Sequence, residues 1–280
     1  MARKLVSVII PNFNYAHFLD NAIQSVLGQS YAHIELIVVN NGSTDDSLKV
    51  LEKYGNSILV IDQENLGQSG ARNSGIAKAS GEFIAFLDAD DYWDSKKIES
   101  QLKLIGPENQ LVYCGVALFS EPELSNFQVL EPRYSGDCSQ YFIHKPGDSI
   151  VLSGESSALF TRSLLDRVGQ FDHNLNSTAG WDFFRRCSRE TNFEYVNEVL
   201  VFHRIHSSNM SNDSTTVIQD MRRAYKKFLN DSLWQISDKR KRRLLCSLEW
   251  TYLKTFLKER NFQSSINSAT NLLRLLSKAS

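Results

Sequence analysis

Phe83-Ile84-Ala85-Phe86-Leu87-Asp88-Ala89-Asp90-Asp91-Tyr92-Trp93 takes five apolar residues straight into three carboxylates. A short apolar run bounded by polar residues reads as a strand buried on both faces. Ligands of an open parallel sheet bind just beyond the carboxyl ends of its strands, which is where these acids fall. Asp88 and Asp90 are two apart, so in an extended segment they project to one side. Two convergent carboxylates suit a hard divalent cation, Mg²⁺ or Mn²⁺, which prefers oxygen ligands and keeps part of its shell for water and phosphate. A solvated acidic turn fits the same residues, so the neighbouring segments have to decide.

Upstream lie three more apolar runs. Leu5–Ile10 is β-branched and ends at Pro11; Ile34–Val39 and Ile58–Ile61 follow. Between the first two, Phe18, Leu19, Ala22, Ile23, Val26 and Leu27 recur at helical spacing, which predicts a helix over Ala16–Leu27. A second helix is expected to run to Tyr54 from a cap at Ser43 or Thr44. A third leaves the glycine-bearing loop Asn65–Asn73, runs to Ala79 and is closed by Gly81. Strand and helix thus alternate four times with short loops, which predicts a parallel, doubly wound sheet. The loops Pro11–Asn14, Asn40–Asp45, Gly67–Arg72 and Asp88–Asp91 then share one edge and line one cleft.

Downstream the pattern is less regular. Asp94 or Ser95 caps a helix bearing Ile98, Leu102 and Ile105, and Leu111–Phe119 reads as a strand. Ser120–Gly147 holds three of the five prolines and reads as a loop. Ser157–Phe160 is a short strand, Arg162–Val168 a helix stopped by Gly169, Trp181–Arg189 another helix, and Phe193–His203 one or two strands. From Thr216 onward the pattern is helical, in two or three helices.

The 280 residues carry a net charge of −1, which gives no whole-protein attraction to nucleic acid. No apolar run approaches the length of a membrane span, and the short run after the basic start is not a signal peptide, so a cytoplasmic protein is expected. The four cysteines are widely spaced without a C-x-x-C pair, which points to neither zinc nor a disulfide framework. The first strand is followed by no G-x-G-x-x-G, and no G-x-x-x-x-G-K-[ST] is present, which argues against a nicotinamide enzyme and a P-loop ATPase.

Four linked motifs remain: Ser7-Val8-Ile9-Ile10-Pro11-Asn12-Phe13-Asn14; Glu35-Leu36-Ile37-Val38-Val39-Asn40-Asn41-Gly42-Ser43-Thr44-Asp45; Asn65-Leu66-Gly67 with Ala71-Arg72-Asn73-Ser74-Gly75; and Phe86-Leu87-Asp88-Ala89-Asp90-Asp91. In order and spacing they resemble family 2 glycosyltransferases of the GT-A fold over about the first hundred residues. Weaker likeness continues through Val168-Gly169-Gln170-Phe171-Asp172, Trp181-Asp182-Phe183-Phe184 and Arg204-Ile205-His206-Ser207-Ser208-Asn209-Met210-Ser211. The resemblance implies a Rossmann-like α/β fold with a mostly parallel sheet flanked by helices. Residues 1–105 would form the nucleotide-sugar-binding half, 106–215 the acceptor-binding half, and 216–280 a C-terminal helical extension.

The resemblance also implies roles. Pro11 and Phe13 would hold the base of the donor nucleotide. Asn40 stands where the family usually has an aspartate that hydrogen-bonds the base; an amide can still read a uracil or thymine edge. Arg72 would reach the base or the diphosphate. Asp88 would contact the ribose or the metal's water shell, Asp90 would ligate Mn²⁺ or Mg²⁺, and Asp91 reads as a helix cap or a supporting acid. Arg204 and His206 would meet the phosphates or the metal. The family usually has Glu-Asp before the W-D-x-x-x-R helix, where this chain has Ala179-Gly180. Asp182 is the nearest acid and the expected base, with Asp172, another loop or the acceptor as alternatives. The basic run Lys239–Arg243 is a solvated face or a contact with anionic lipid at the inner membrane face. The expected activity is an inverting, metal-dependent transfer from a nucleotide-diphosphate sugar to a glycan or lipid-linked saccharide. Its rivals are a nucleotide-sugar-binding protein without useful turnover, and a partner-binding protein with a vestigial cleft.

Overall fold

Seven consecutive buried residues, Val6–Asn12, form the central strand β1. The computed structural model describes residues 4–120, 127–144, 150, 151, 153–207, 209, 213–234 and 236–277. After β1 come α1 (Ala16–Leu27), β2 (Ile34–Asn41), α2 (Ser47–Glu52), β3 (Leu59–Gln63), α3 (Gly67–Lys78), β4 (Phe83–Phe86) and β5 (Tyr92–Trp93). Then follow α4 (Lys97–Leu102), β6 (Leu111–Ser120), β7 (Gln128–Leu130), α5 (Ser139–His144), β8 (Leu159–Thr161), α6 (Arg162–Val168), α7 (Ala179–Cys187) and β9 (Phe193–Ile205).

The chain divides into two units, one of residues 1–141 and 149–209, the other of residues 142–148 and 210–280. In the first, the strands form one sheet in the order β3-β2-β1-β4-β8-β6-β9-β5, with β7 on β6. The pairs β3-β2, β2-β1 and β1-β4 are parallel, as the alternation predicts. Beyond β4 the sheet is mixed: β8 is antiparallel to both neighbours, and β6 and β9 are parallel. Both faces of β1 are covered. Val6, Val8 and Ile10 join Leu19, Ala22, Ile23 and Val26 of α1 in the core. On the other face, Gly75 of α3 comes so close to Ile9 that an added Cβ would lie 2.3 Å from its Cγ2. Each fully buried aliphatic side chain contributes about 1.5–3 kcal/mol, so β1 is the anchor from which the strand-end loops hang.

Several expectations are corrected. β1 continues through Pro11, which pairs with Val39, to Asn12. α2 is not capped by Ser43 or Thr44; Asp45 Oδ1 accepts the Ser47 N–H at 3.0 Å, while its Oδ2 accepts the Ala16 N–H at 2.9 Å. One carboxylate thus serves the first turns of two helices, where backbone N–H groups lack intrahelical partners. The expected loop Ser120–Gly147 contains β7 and α5; its residues 121–126 and 145–147 lie outside the described residues. Phe193–Ile205 is one strand, with register shifts against β6 at Gly115, where an added Cβ would lie 2.8 Å from the Glu198 carbonyl oxygen.

The second unit is helical: α8 (Ser214–Asn230), α9 (Asp238–Lys258) and α10 (Phe262–Ser277). Arg222 of α8 donates from Nε and Nη2 to the two Glu249 oxygens of α9, at 2.8 and 2.6 Å, and from Nη2 to Ser268 Oγ of α10 at 2.8 Å. Among the described residues no helix is long and apolar enough to cross a membrane.

Candidate functional site

The strand-end loops of the first unit are tied to one another by side-chain hydrogen bonds. Asn14 adopts a left-handed φ of +59°; its N–H donates to Ser43 Oγ at 3.0 Å and its Oδ1 accepts the Thr44 N–H at 2.7 Å. The loops after β1 and β2 are thereby locked together. Between them Pro11 is buried, and the Phe13 ring is 44% exposed. Asn40 is buried at the end of β2, and its Nδ2 donates to Asp62 Oδ1 of β3 at 2.7 Å. Asp62 takes one N–H of the Asn40 amide, and the Asn40 carbonyl oxygen is met by Asn12 Nδ2 only at 3.5 Å.

The acids after β4 have three different surroundings. Asp88 is partly exposed; its Oδ1 accepts from Arg72 Nη2 at 2.9 Å and from Gln68 Nε2 at 3.3 Å, and its Oδ2 has no protein partner among the described residues. Asp90 Oδ2 lies 3.0 Å from His206 Nε2 and 3.3 Å from Asn209 Nδ2. Asp91 is fully enclosed, facing His203 Nδ1 at 3.0 Å and accepting the Arg204 N–H at 3.2 Å, which makes it the supporting acid of the two roles expected for it. Burial works against the His203 imidazolium, but Asp91 outweighs it and raises the group to about 9. Burial, together with His17, Arg204 and His203, pushes His206 down, so its imidazole is neutral at pH 7.

Both arginines are built in. Arg72 is buried, with Nη2 shared between Asp88 and Glu155 Oε2 at 3.2 Å. Arg204 is buried with its guanidinium 4.6 and 4.8 Å from the rings of Phe18 and Phe119, and its Nε donates to the Asp90 carbonyl oxygen at 3.1 Å. In this structure these cations shape the acidic loop: Arg72 orients Asp88, and Arg204 holds the Asp90 backbone. The Tyr15 and Phe18 rings pack against His206. Ser208, Met210 and Ser211 of that segment's motif lie outside the described residues.

No group of three or more His, Cys, Asp or Glu among the described residues is arranged to hold an ion unaided. The donor set still fits a divalent cation that takes part of its shell from a diphosphate and water: the Asp90 carboxylate, a neutral imidazole against it, and an Asp88 oxygen without a protein partner. Burial, Asp91 and Asp88 push the Asp90 carboxyl up to about 7, a repulsion that a cation relieves.

Asp182 sits elsewhere. It is fully buried in the first turn of α7, with Oδ1 accepting from Arg185 Nη2 at 2.9 Å and Oδ2 from Arg186 Nε at 3.0 Å. Both carboxylate oxygens of Asp182 are thus engaged by guanidiniums of its own helix. Asp172 accepts the N–H of Asn174 at 2.9 Å and its side-chain amide at 3.1 Å, in its own turn. Sequence reasoning passed over Asp62, Gln68, Glu155 and His203, none of which stands in a motif on its own.

The comparisons agree with this geometry. Residues 7–169 match Glycosyl transferase family 2. A glycosyltransferase of Rickettsia prowazekii is 31% identical over 229 residues, 80% of this chain and 71% of that one. The UDP-Glc:alpha-D-GlcNAc-diphosphoundecaprenol beta-1,3-glucosyltransferase of Escherichia coli is 43% identical over 107 residues, 38% of this chain and 42% of that one. Among solved structures, S. aureus TarS 1–349 in complex with UDP-GlcNAc superposes with a TM-score of 0.67 at 18% identity, covering 96% of this chain and 81% of that one. A mannosyltransferase of Pyrobaculum calidifontis in complex with GDP-Man and Mn²⁺ superposes with a TM-score of 0.61 at 16% identity, covering 100% and 77%. With its parallel half-sheet, its acids at the strand ends and this match over more than half its length, the chain belongs to glycosyl transferase family 2 and is a glycosyltransferase of the GT-A fold.

Proposed function

We propose that the protein is an inverting, metal-dependent transferase that moves a hexose-type sugar from a nucleotide-diphosphate sugar to a hydroxyl of a glycan or lipid-linked saccharide. The observation that carries this reading is the acidic loop after β4, where Asp90 Oδ2 lies 3.0 Å from His206 Nε2 and 3.3 Å from Asn209 Nδ2, beside Asp88 held by Arg72 at 2.9 Å. Asp90 and Asp88, with His206 beside them, hold Mn²⁺ or Mg²⁺, which when bound supplies positive charge to the departing diphosphate. Pro11 and the exposed Phe13 ring take the base, by ring face. The Asn40 oxygen receives an N–H of the base, such as the imide N–H of uracil or thymine. Arg72 and Arg204 serve the diphosphate indirectly, by fixing Asp88 and the Asp90 loop.

The named E. coli relative uses a UDP-sugar and an acceptor carried on a lipid diphosphate, which supports the same classes for this chain. The basic run Lys239–Arg243 at the start of α9 offers charge for anionic headgroups, which supports the further proposal of peripheral contact with the inner membrane surface. The test is incubation with Mn²⁺ and a panel of UDP-, dTDP-, GDP- and ADP-sugars, following melting shifts and released nucleotide. Binding with turnover of at least one of them is expected; a chain that binds none of them refutes the proposal. The second reading, a nucleotide-sugar binder without turnover, is favoured by the engaged Asp182 and the acid-free Ala179-Gly180; binding with no nucleotide release under any acceptor would establish it.

A further inference from the structure

A transferase needs a base, and neither Asp182 nor Ala179-Gly180 offers one. Glu155 does. It lies in the 3-10 turn Gly154–Ser157, is 5% exposed, and its Oε1 has no hydrogen-bond partner among the described residues. Its Oε2 is 3.2 Å from Arg72 Nη2, the same nitrogen that lies 2.9 Å from Asp88 Oδ1. From the other side it meets Gly180 of α7: a Cβ built there would lie 2.6 Å from Glu155 Oε1 and 3.1 Å from its carboxyl carbon. Position 180 carries no side chain, and a carboxylate from another element fills that space.

Resting on the transferase reading above, we infer that Glu155 is the catalytic base, and that position 180 is glycine to admit its carboxylate. The turn is mounted rigidly on the acidic loop. Ser156 Oγ accepts the Asp88 N–H at 3.1 Å, the Ser156 carbonyl accepts from Trp93 Nε1 at 2.9 Å, and the Ser157 carbonyl accepts from Gln101 Nε2 at 2.8 Å. Ser153 and Gly154 enter it with φ of +48° and +53°. A left-handed serine costs roughly 1 kcal/mol and persists where surrounding bonds over-determine it, as here. The charged groups facing Glu155 are Arg72 from α3 and Asp88 from the loop after β4; α7 contributes none. Burial raises the carboxyl, Arg72 opposes, and Asp88 adds to the rise. The outcome is a carboxylate more basic than usual, as a general base near neutral pH requires.

The ion pair with Arg72 is single rather than bidentate, and it leaves Glu155 Oε1 and Arg72 Nε both buried without hydrogen-bond partners among the described residues. In the step proposed, the acceptor oxygen bonds to the anomeric carbon while its proton passes to Glu155 Oε1. The bond from that carbon to the diphosphate oxygen breaks, and the electron pair leaves with the nucleoside diphosphate. The proton then passes to solvent.

The test uses the full chain with Mn²⁺ and whichever nucleotide sugar the panel shows to turn over, water serving as acceptor where none is known. Glu155→Gln keeps the shape and the bond to Arg72. It is expected to leave donor binding, read by melting shift, within about threefold, and to lower kcat by about 10²–10⁴-fold. Gly180→Asp in a Glu155→Ser background returns the carboxylate to α7 and is expected to regain at least tenfold over Glu155→Gln. Turnover by Glu155→Gln within threefold of wild type, or donor binding lost as deeply as kcat, overturns the base assignment while the transferase stands. A wild type that binds no donor overturns the transferase reading itself.

Discussion

Lys97 is a buried charge whose cost can be measured. It is fully buried, with Nζ 3.9 Å from the centroid of the Trp93 ring and donating to Gln101 Oε1 at 2.8 Å. Burial pulls the ammonium down from 10.5 to about 8, with Cys114 opposing only in part. Below pH 8 the lysine is charged in both folded and unfolded chains, and the folded state bears the whole desolvation cost. Between about 8 and 10.5 the unfolded chain binds a proton that the folded chain has released, so stability rises with pH, by about 1.4 kcal/mol per unit. From pH 7 to pH 10 this one group adds roughly 2–3 kcal/mol. Lys97→Met removes the titration. At pH 7 the variant escapes the desolvation cost but loses a cation–π contact worth up to about 2 kcal/mol. It also strands Gln101 Oε1, at roughly 1–3 kcal/mol, so the two proteins should be close in stability there. The signal is therefore the slope. Urea unfolding followed by tryptophan fluorescence at pH 7, 8, 9 and 10 should show wild type gaining roughly 2–3 kcal/mol on the variant across the series. Parallel profiles would refute the reasoning, because an ammonium that water reaches titrates near 10.4 in both states.

Three further outcomes are expected. Asp182→Asn leaves Arg185 and Arg186 facing a neutral amide and should cost about 3 kcal/mol of stability with kcat per folded molecule unchanged; full stability with lost turnover would return the base to Asp182. Asp90→Ala should abolish the Mn²⁺-dependent part of donor binding, about 2.7 kcal/mol of stabilisation at a hundred times Kd, and a persisting Mn²⁺-dependent melting shift would contradict the metal assignment. Gly75→Ala puts a methyl 2.3 Å from Ile9 Cγ2 and should cost roughly 1–3 kcal/mol, most of it recovered when Ile9 is also trimmed to alanine; simple additivity of the two losses would count against that contact.

The first half of the fold was legible because its signals are local and redundant. Each of β1, β2 and β4 is an apolar run, each is followed by a turn or a helical stripe, and the chirality of parallel crossovers leaves little choice of arrangement. In the second half the longer elements were legible too, α6 over Arg162–Val168 among them, but the order of its strands in the sheet was not. β5, β7 and β8 span two or three residues, too few for a period, and their places in the sheet come from long-range pairing such as Ala85 with Leu159. Pro11 stays in β1 despite its reputation as a terminator, and the first N–H groups of α1 and α2 are both met by one aspartate that no local spacing could assign to both.

The site divides along the same physical line. Asp88 and Asp90 stand in one continuous motif, so their grouping could be read directly from the chain. The groups that tune them could not: Asp62 turns the Asn40 amide across 22 residues, and Arg72 links Asp88 to Glu155 through a fold-level contact. In both cases the motif position lacks an acid, and in both a carboxylate stands within reach from a different element. What binding or proton transfer requires is a charge at a point in space, and a fold can deliver it from any element that passes that point. A substitution such as Gly180 is then informative in an unexpected sense. As a lost acid it argues against turnover; as a removed side chain it measures the room that another carboxylate needs. Only the neighbour's position distinguishes the two, and at Gly180 that neighbour is a buried glutamate with an oxygen that has no partner among the described residues.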